Sequence, residues 1–269
     1  MANRSYLYSL SNRPTSYADR PETISGLSEW PYYVPFMYRL LMSGDPQLCA
    51  SLVSDGFDID EPEQKTRLYA ISSHFDTGLE RVKRFAEIVR ATTALLPDAE
   101  PPPANTPQPA SFLNRLKLVF ASQKESPQPS TTPSSAPTDE LLANLDETIT
   151  FLETHRDTYL LLETIELDTM SESEEAELKA CVEQEMARCI QAGAAVDALP
   201  ANIEEAAWQL RLATRLSGAA PFDAFFRLRL DNDCDSTHTE ETEYPLGLVW
   251  DDTLYFDLMN RSEFEAQQR

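Results

Sequence analysis

The chain has 269 residues, 42% of them apolar and 9% aromatic, enough for a sizeable core in one large domain or two small ones. Lys and Arg number 22 against 45 Asp and Glu, and the formal net charge of −23 argues against binding nucleic acid or anionic membrane. There is no 18-residue apolar run and no signal-peptide core after Met1, so the sequence predicts a soluble, cytoplasmic protein, and its four cysteines are too few for a disulfide framework.

In chain order, residues 4–10 alternate polar and apolar side chains with aromatic enrichment and predict a strand. Residues 12–21 are a polar turn region. Residues 24–35 hold too much proline for regular structure and too much aromatic surface for water, so an ordered loop is expected there. It feeds a helix at 36–42. Gly44-Asp45-Pro46 breaks the chain ahead of a short helix at 47–53. The clearest helix is expected from about Pro62 to Leu96, capped by Asp60. Leu68, Ile71, Phe75, Leu79, Val82, Phe85 and Val89 fall three or four apart on one face. Gly78 is its weak spot. The opposite face carries Arg67, Arg81, Lys83, Arg84 and Arg90, expected to be solvated or to pair with acidic groups elsewhere in the chain.

Ten of the 19 prolines fall in residues 97–138, among Ser, Thr, Gln and Ala, which is linker composition. Within it, residues 112–120 form a short amphipathic stretch suited to docking on the protein itself or in a partner's groove. Thr138 is the expected N-cap of a helix marked by Leu141, Leu145, Ile149 and Leu152 and continuing to about Leu167. Ser171 and Glu174 read as a capping box for a helix carrying Leu178, Val182, Met186 and Cys189 and ending near Gly193. A fourth helix is expected at 202–216. The tail predicts a strand at 225–230, a hairpin at 244–250 and 253–258, and a last short helix capped by Asn260. The expected fold is α+β, a mostly helical body with a small antiparallel sheet formed by N- and C-terminal strands. Three regions follow: 1–96, the linker 97–138, and the acidic 139–269, with the first and last packed as one unit.

The charge is unevenly spread. Residues 1–97 hold 10 basic and 12 acidic residues, and residues 98–138 hold three of each. Residues 139–269 hold 9 basic and 30 acidic. An acidic half of this kind either keeps the protein in solution or fits a basic partner, whose encounter it would accelerate.

Sites for chemistry are scarce. Asp231, Asp233 and Asp235 match the first three ligands of an EF-hand loop, but Ser236 stands where the turn needs Gly and Thr242 where the bidentate carboxylate belongs. Cys234 and His238 lack further ligands. Cys181 and Cys189, eight apart on one helix, lie about 12 Å from each other and cannot pair. Cys49 and Cys181 read as small buried hydrophobes. On a helix, His74 and Asp76 would point apart. No nucleophile elbow, phosphate-binding Gly loop or His-Glu-x-x-His occurs. No catalytic residue, cofactor or metal is assigned.

The opening Met1-Ala-Asn-Arg-Ser-Tyr-Leu-Tyr8, then Ile24-Ser-Gly-Leu-Ser-Glu-Trp30, and the closing Leu248-Val-Trp-Asp-Asp-Thr-Leu-Tyr-Phe256 resemble a group of bacterial proteins. Some of these are similar to immunity partners of secreted antibacterial toxins. The resemblance covers roughly the first 95 residues and the last 30, and carries over no catalytic residue. It implies a cytoplasmic protein that binds a basic toxin and occludes it. An adaptor or chaperone for a secreted effector is the second reading and an enzyme the third. The partner surface is expected at Asp231, Asp233, Asp235, Glu240, Glu241, Glu243, Asp251 and Asp252, with Tyr244 and Trp250 as aromatic anchors. The competing view is that these carboxylates shield sheet edges.

Overall fold

The computed structural model describes residues 3–58, 65–95, 136–230 and 244–269. In chain order, β1 (Arg4–Leu10) and β2 (Ile24–Pro31) lead to α1 (Phe36–Leu41), β3 (Gln47–Ala50) and a small ribbon of β4 (Phe57–Asp58) and β5 (Lys65–Thr66). β6 (Tyr69–His74) runs directly into α2 (Phe75–Ala94). The second half supplies α3 (Ala136–Thr154), β7 (Tyr159–Glu163), α4 (Ile165–Asp168), α5 (Glu175–Asp197) and α6 (Ile203–Arg215). A 3-10 turn (Phe222–Phe225) and α7 (Arg261–Gln267) follow. No helix among the described residues is long and apolar enough to cross a membrane.

Five strands form one sheet in the order β2-β1-β7-β6-β3, every neighbouring pair antiparallel. β7 therefore sits in the middle, with Leu162 opposite Leu7 on one side and Ile71 on the other. Both faces of the sheet are covered. Leu7, Ile71, Leu160 and Leu162 pack with Phe36, Phe75, Phe85 and Val82 under the helices. Tyr6, Tyr8, Leu10, Ala70 and Leu161 face the other way, against Leu52 and Leu258. The Tyr8 hydroxyl donates to the Phe256 carbonyl (2.6 Å), tying the tail to the sheet's back.

The α+β class with a helical body and an antiparallel sheet holds, but several elements differ from expectation. The third helix stops at Thr154, and residues 159–163 become the central strand instead of its continuation. Tyr159-Leu-Leu-Leu-Glu163 is apolar at consecutive positions because both its faces are buried, and such a run has no period to separate strand from helix. Residues 69–74 are likewise a strand, so the long helix begins at Phe75 and not near Pro62. Residues 24–31 form a strand, with Pro31 at its end where no ladder donor is needed. Residues 47–50 pair with β6 instead of coiling into a helix.

In the tail, the expected strand and hairpin are not formed among the described residues. Leu228 and Tyr244 make an isolated bridge, and the chain beyond runs along β2, where the Asp251 N–H donates to the Leu27 carbonyl (3.1 Å). The tail's apolar side chains are satisfied by packing on the sheet, so they need no ladder of their own. The sheet's strand from the second half is thus β7. α5 starts at Glu175 without a side-chain cap and runs four residues past Gly193. The Asn260 cap forms as expected, a full capping box with Glu263. Gly78 is no weak spot. A Cβ there would lie 1.8 Å from the Leu41 carbonyl oxygen, so glycine is what lets α2 approach the end of α1. The expected cap at Asp60, the amphipathic stretch 112–120, and the linker up to residue 135 lie outside the described residues.

Glu163, at the end of β7, is fully buried. Its carboxyl accepts the Leu52 N–H (2.7 Å) and the Ser51 hydroxyl (2.9 Å), fixing the turn after β3. Burial pushes it from 4.5 up to about 7, against those two hydrogen bonds and the nearby Arg20. The protonated form is therefore favoured in the fold. Stability from this group is complete below about pH 4.5 and is lost as pH rises through 7. Two and a half pH units of that window correspond to about 3 kcal/mol. Asp168, raised to about 6 by burial, acts in the same direction. Comparing wild type with Glu163→Gln by urea denaturation at pH 5 and pH 8 isolates Glu163. The variant is expected to gain on wild type by about 2.5 kcal/mol between the two, and a pH-independent difference would contradict this.

Because β7 separates β1 from β6, residues 1–95 alone lack the strand that joins their two sheet pieces. Co-expressed fragments 1–95 and 136–269 are expected to co-purify and unfold in one transition, whereas 1–95 alone should show no cooperative unfolding. Independent folding of 1–95 would contradict the topology.

Candidate partner-binding surface

The basic face of α2 meets the acidic half of the chain. Arg81 pairs with Asp197 (2.7 Å), Lys83 with Glu153 (2.7 Å), and Arg90 with Asp146. Arg84 donates to the carbonyls of Val196 (2.9 Å) and Leu199 (2.6 Å), closing the end of α5. Arg67 lies outside α2: its backbone N–H donates to Glu175 (3.1 Å), and its guanidinium lies over the Tyr69 ring. These cations are used inside the molecule, in part as the sequence suggested. Asp139, Glu140 and Glu147 on α3, Glu174 and Glu177 at the start of α5, and Glu204 on α6 face solvent. Crowding shows there: the Glu172 carboxylate holds the Glu177 carboxyl above its ordinary value.

Of the expected contact residues, Asp231, Asp233, Asp235, Glu240, Glu241 and Glu243 lie outside the described residues, as does the EF-hand-like loop 231–242. Tyr244 is half exposed (52%), and its backbone is held by Arg227 and Arg229 through N–H···O bonds of 2.8 and 2.7 Å. Trp250 is not an exposed anchor. Its ring packs on Tyr38 (5.6 Å) and Phe151 (6.2 Å), turned into the core. Asp251 and Asp252 are exposed. The Asp251 carboxylate accepts the Thr253 N–H (2.9 Å), and Asp252 lies 3.7 Å from the His155 ring.

Tyr244 stands on the rim of a groove of about 200 Å³ lined by Tyr33, Pro35, Phe226, Arg39 and Arg188. Two of its lining residues, Arg39 and Arg188, share one carboxylate, that of Glu185. Glu185, 8% exposed at its side chain, accepts both Arg39 Nε (2.6 Å) and Arg39 Nη2 (3.3 Å), and Arg188 from the next turn (2.8 Å). The bidentate Arg39 contact fixes the fork of α1 against α5. Tyr32 (64% exposed, φ +68°) projects from the loop that also supplies Tyr33, and Tyr255 (60% exposed) follows the tail beyond β2. Tyr244, exposed on the rim of this groove, is the residue type that anchors interfaces.

Residues 11–106 match a domain of unknown function (DUF7822). No curated protein and no solved structure matches the chain. The matched span holds β2, β3, β6 and α2 but neither β1 nor β7, so the sheet does not close within it.

Residues with chemical potential are otherwise engaged. Cys49 and Cys189 are pushed well above the ordinary thiol value by burial, the behaviour of small hydrophobes and not of nucleophiles. Cys181, expected to be buried, is only partly so, and its thiol is raised by partial burial and by nearby carboxylates. The His74 ring packs at a tilt against Tyr159 (5.0 Å) with Asp45 4.0 Å away, while Asp76 is held by Arg156 (2.6 Å). His74 and Asp76 thus point to different partners. Among the described residues no group of three or more His, Cys, Asp or Glu could hold a metal ion.

The groove was partly legible: the Trp30–Pro35 stretch is flagged by its aromatics, but Trp30 itself is buried (3%) and Tyr32 carries the exposure. The Arg39–Glu185 pairing spans 146 residues and leaves no local signal. Trp250→Ala is expected to destabilise the protein by about 3 kcal/mol, whereas Tyr32→Ala and Tyr244→Ala should stay within about 0.5 kcal/mol. Chemical denaturation of the three variants checks this, and equal losses would mean the tyrosines are core residues.

Proposed function

We propose that the protein is a cytoplasmic immunity protein that binds a basic bacterial toxin and occludes it. The observation that carries this reading is the charge arrangement. The basic face of α2 is turned inward onto acidic partners, while α3 and the starts of α5 and α6 present carboxylates outward. Like charges crowded on one side repel in the isolated protein, and a cationic partner relieves that repulsion. The groove beside Tyr244 supplies a shaped contact where an apolar side chain of the partner would seat. The resemblance of the chain's two ends to a group of bacterial proteins, some of them similar to toxin-immunity proteins, points the same way.

Occlusion asks for surface and not for chemistry, so the reading is tested by growth and by kinetics. Co-expression with the product of the neighbouring gene should restore growth. A rise in that protein's level without rescue would favour an escorting chaperone over an inhibitor. Association should slow by about tenfold or more when Asp233, Asp235, Glu240 and Glu241 are reversed to Lys, and it should weaken with salt, because peripheral charges act on the on-rate. Association indifferent to both salt and the reversals would overturn the electrostatic basis of the proposal.

A further inference from the structure

The turn after β2 carries a residue for which the fold alone gives no reason. Tyr32 has a φ of +68°, in the left-handed region that a bulky side chain rarely adopts. Glycine or asparagine takes that conformation more easily, and a ring left in water recovers little of the difference by burial. The Tyr32 ring is 64% exposed. Its base, by contrast, is fixed. Trp30 and Val34 are buried on either side, and the Ser5 hydroxyl closes the turn by donating to the carbonyls of Trp30 (3.4 Å) and Tyr33 (3.1 Å). The ring is held outward on a rigid support, and strained backbone of this kind concentrates at binding sites.

The surroundings favour a cation. Pro31, next to Tyr32, stands opposite Arg4 in the register of β1 with β2. The Arg4 guanidinium is paired with Glu29 (3.0 Å) and lies over the exposed Tyr255 ring, 5.2 Å from its centroid. One tyrosine of this face thus already holds a cation from its own chain. Along the tail on both sides of Tyr255, Asp251, Asp252 and Asp257 are exposed. In the other direction the turn is continuous with the Tyr244 groove, whose lining includes Tyr33, Val34 and Pro35.

We infer that Tyr32 is the aromatic anchor of the partner interface and takes an arginine or lysine side chain of the basic partner across its ring face. This rests on the proposed binding of a basic toxin and names the contact that holds it. A cation over a tyrosine ring gains most once water is excluded, and the tail carboxylates draw it toward that position. Rigid tyrosines carry a large share of the binding energy at many interfaces. The strain at Tyr32 is then a stability cost in the free protein for a ring placed ready to bind.

The test joins the stability of the free protein to its affinity for the product of the neighbouring gene. Tyr32→Asn suits the left-handed backbone and should melt at or above the wild-type temperature. Its affinity for that product, measured by calorimetry with the full chain, should fall about tenfold or more. Tyr32→Phe keeps the ring face and should bind as wild type does. Asp251→Asn combined with Asp257→Asn should slow association and leave dissociation unchanged. A melting temperature lowered by more than about 4 °C in Tyr32→Asn would make the ring a structural element and overturn the inference. Loss of binding in Tyr32→Phe would assign the contact to the hydroxyl and remove the cation from the ring. Wild-type affinity retained in Tyr32→Asn would overturn the anchor and leave the toxin reading standing. A wild-type chain that does not bind the product would overturn the toxin reading, and the anchor with it.

Discussion

The structure depends on the pairing of β7 between β1 and β6. Two pieces of sheet from the first 74 residues, β2-β1 and β6-β3, have no contact in the ladder except through a five-residue strand from the second half. Its leucines serve both layers, Leu160 and Leu162 under the helices and Leu161 on the opposite face. Glu163 completes the arrangement by accepting hydrogen bonds from the turn after β3, the other edge of the sheet. A buried carboxyl in that position is satisfied only when both halves are in place, which links the sheet's closure to the arrival of β7.

The same joining disposes of the charge. Once β7 is in the sheet, α3 and α5 lie against α2, and the cations of α2 find Asp146, Glu153 and Asp197. Partly exposed ion pairs of this kind add little stability one by one, but they decide which way each face points. Cations turn in and carboxylates remain out. The exterior gains a single dominant sign, on which the proposed recognition of a basic toxin rests.

Much of the fold was legible where amphipathic period and capping chemistry agree. α6 begins after Asn202, whose side chain accepts the Glu205 N–H as a cap should, and α7 begins with the Asn260–Glu263 box. The strands of the core were not. Residues 159–163 and 69–74 are covered on both faces, so their apolar positions follow no period, and Ile71 falls on the helical spacing of α2 without belonging to it. The tail misled in the opposite sense: over 253–258 its alternation is real, but it reflects one side packed against the protein and the other in water, without a ladder partner. At the candidate surface, Tyr244 stands exposed as expected, while Trp250 turns inward to Tyr38 and Phe151. Tyr244 and Trp250 look alike in sequence, and only the packing of α3 and α1 separates an anchor from a core residue.

Native-state hydrogen exchange tests the central role of β7 most directly. The amides of Leu160, Leu161 and Leu162 should exchange only through global opening, with the same free energy as Leu7 in β1 and Ile71 in β6, since the sheet cannot lose its middle strand and remain folded. If β7 amides exchanged orders of magnitude faster than those of β1 and β6, the two halves would be stable without it, and the account would be wrong.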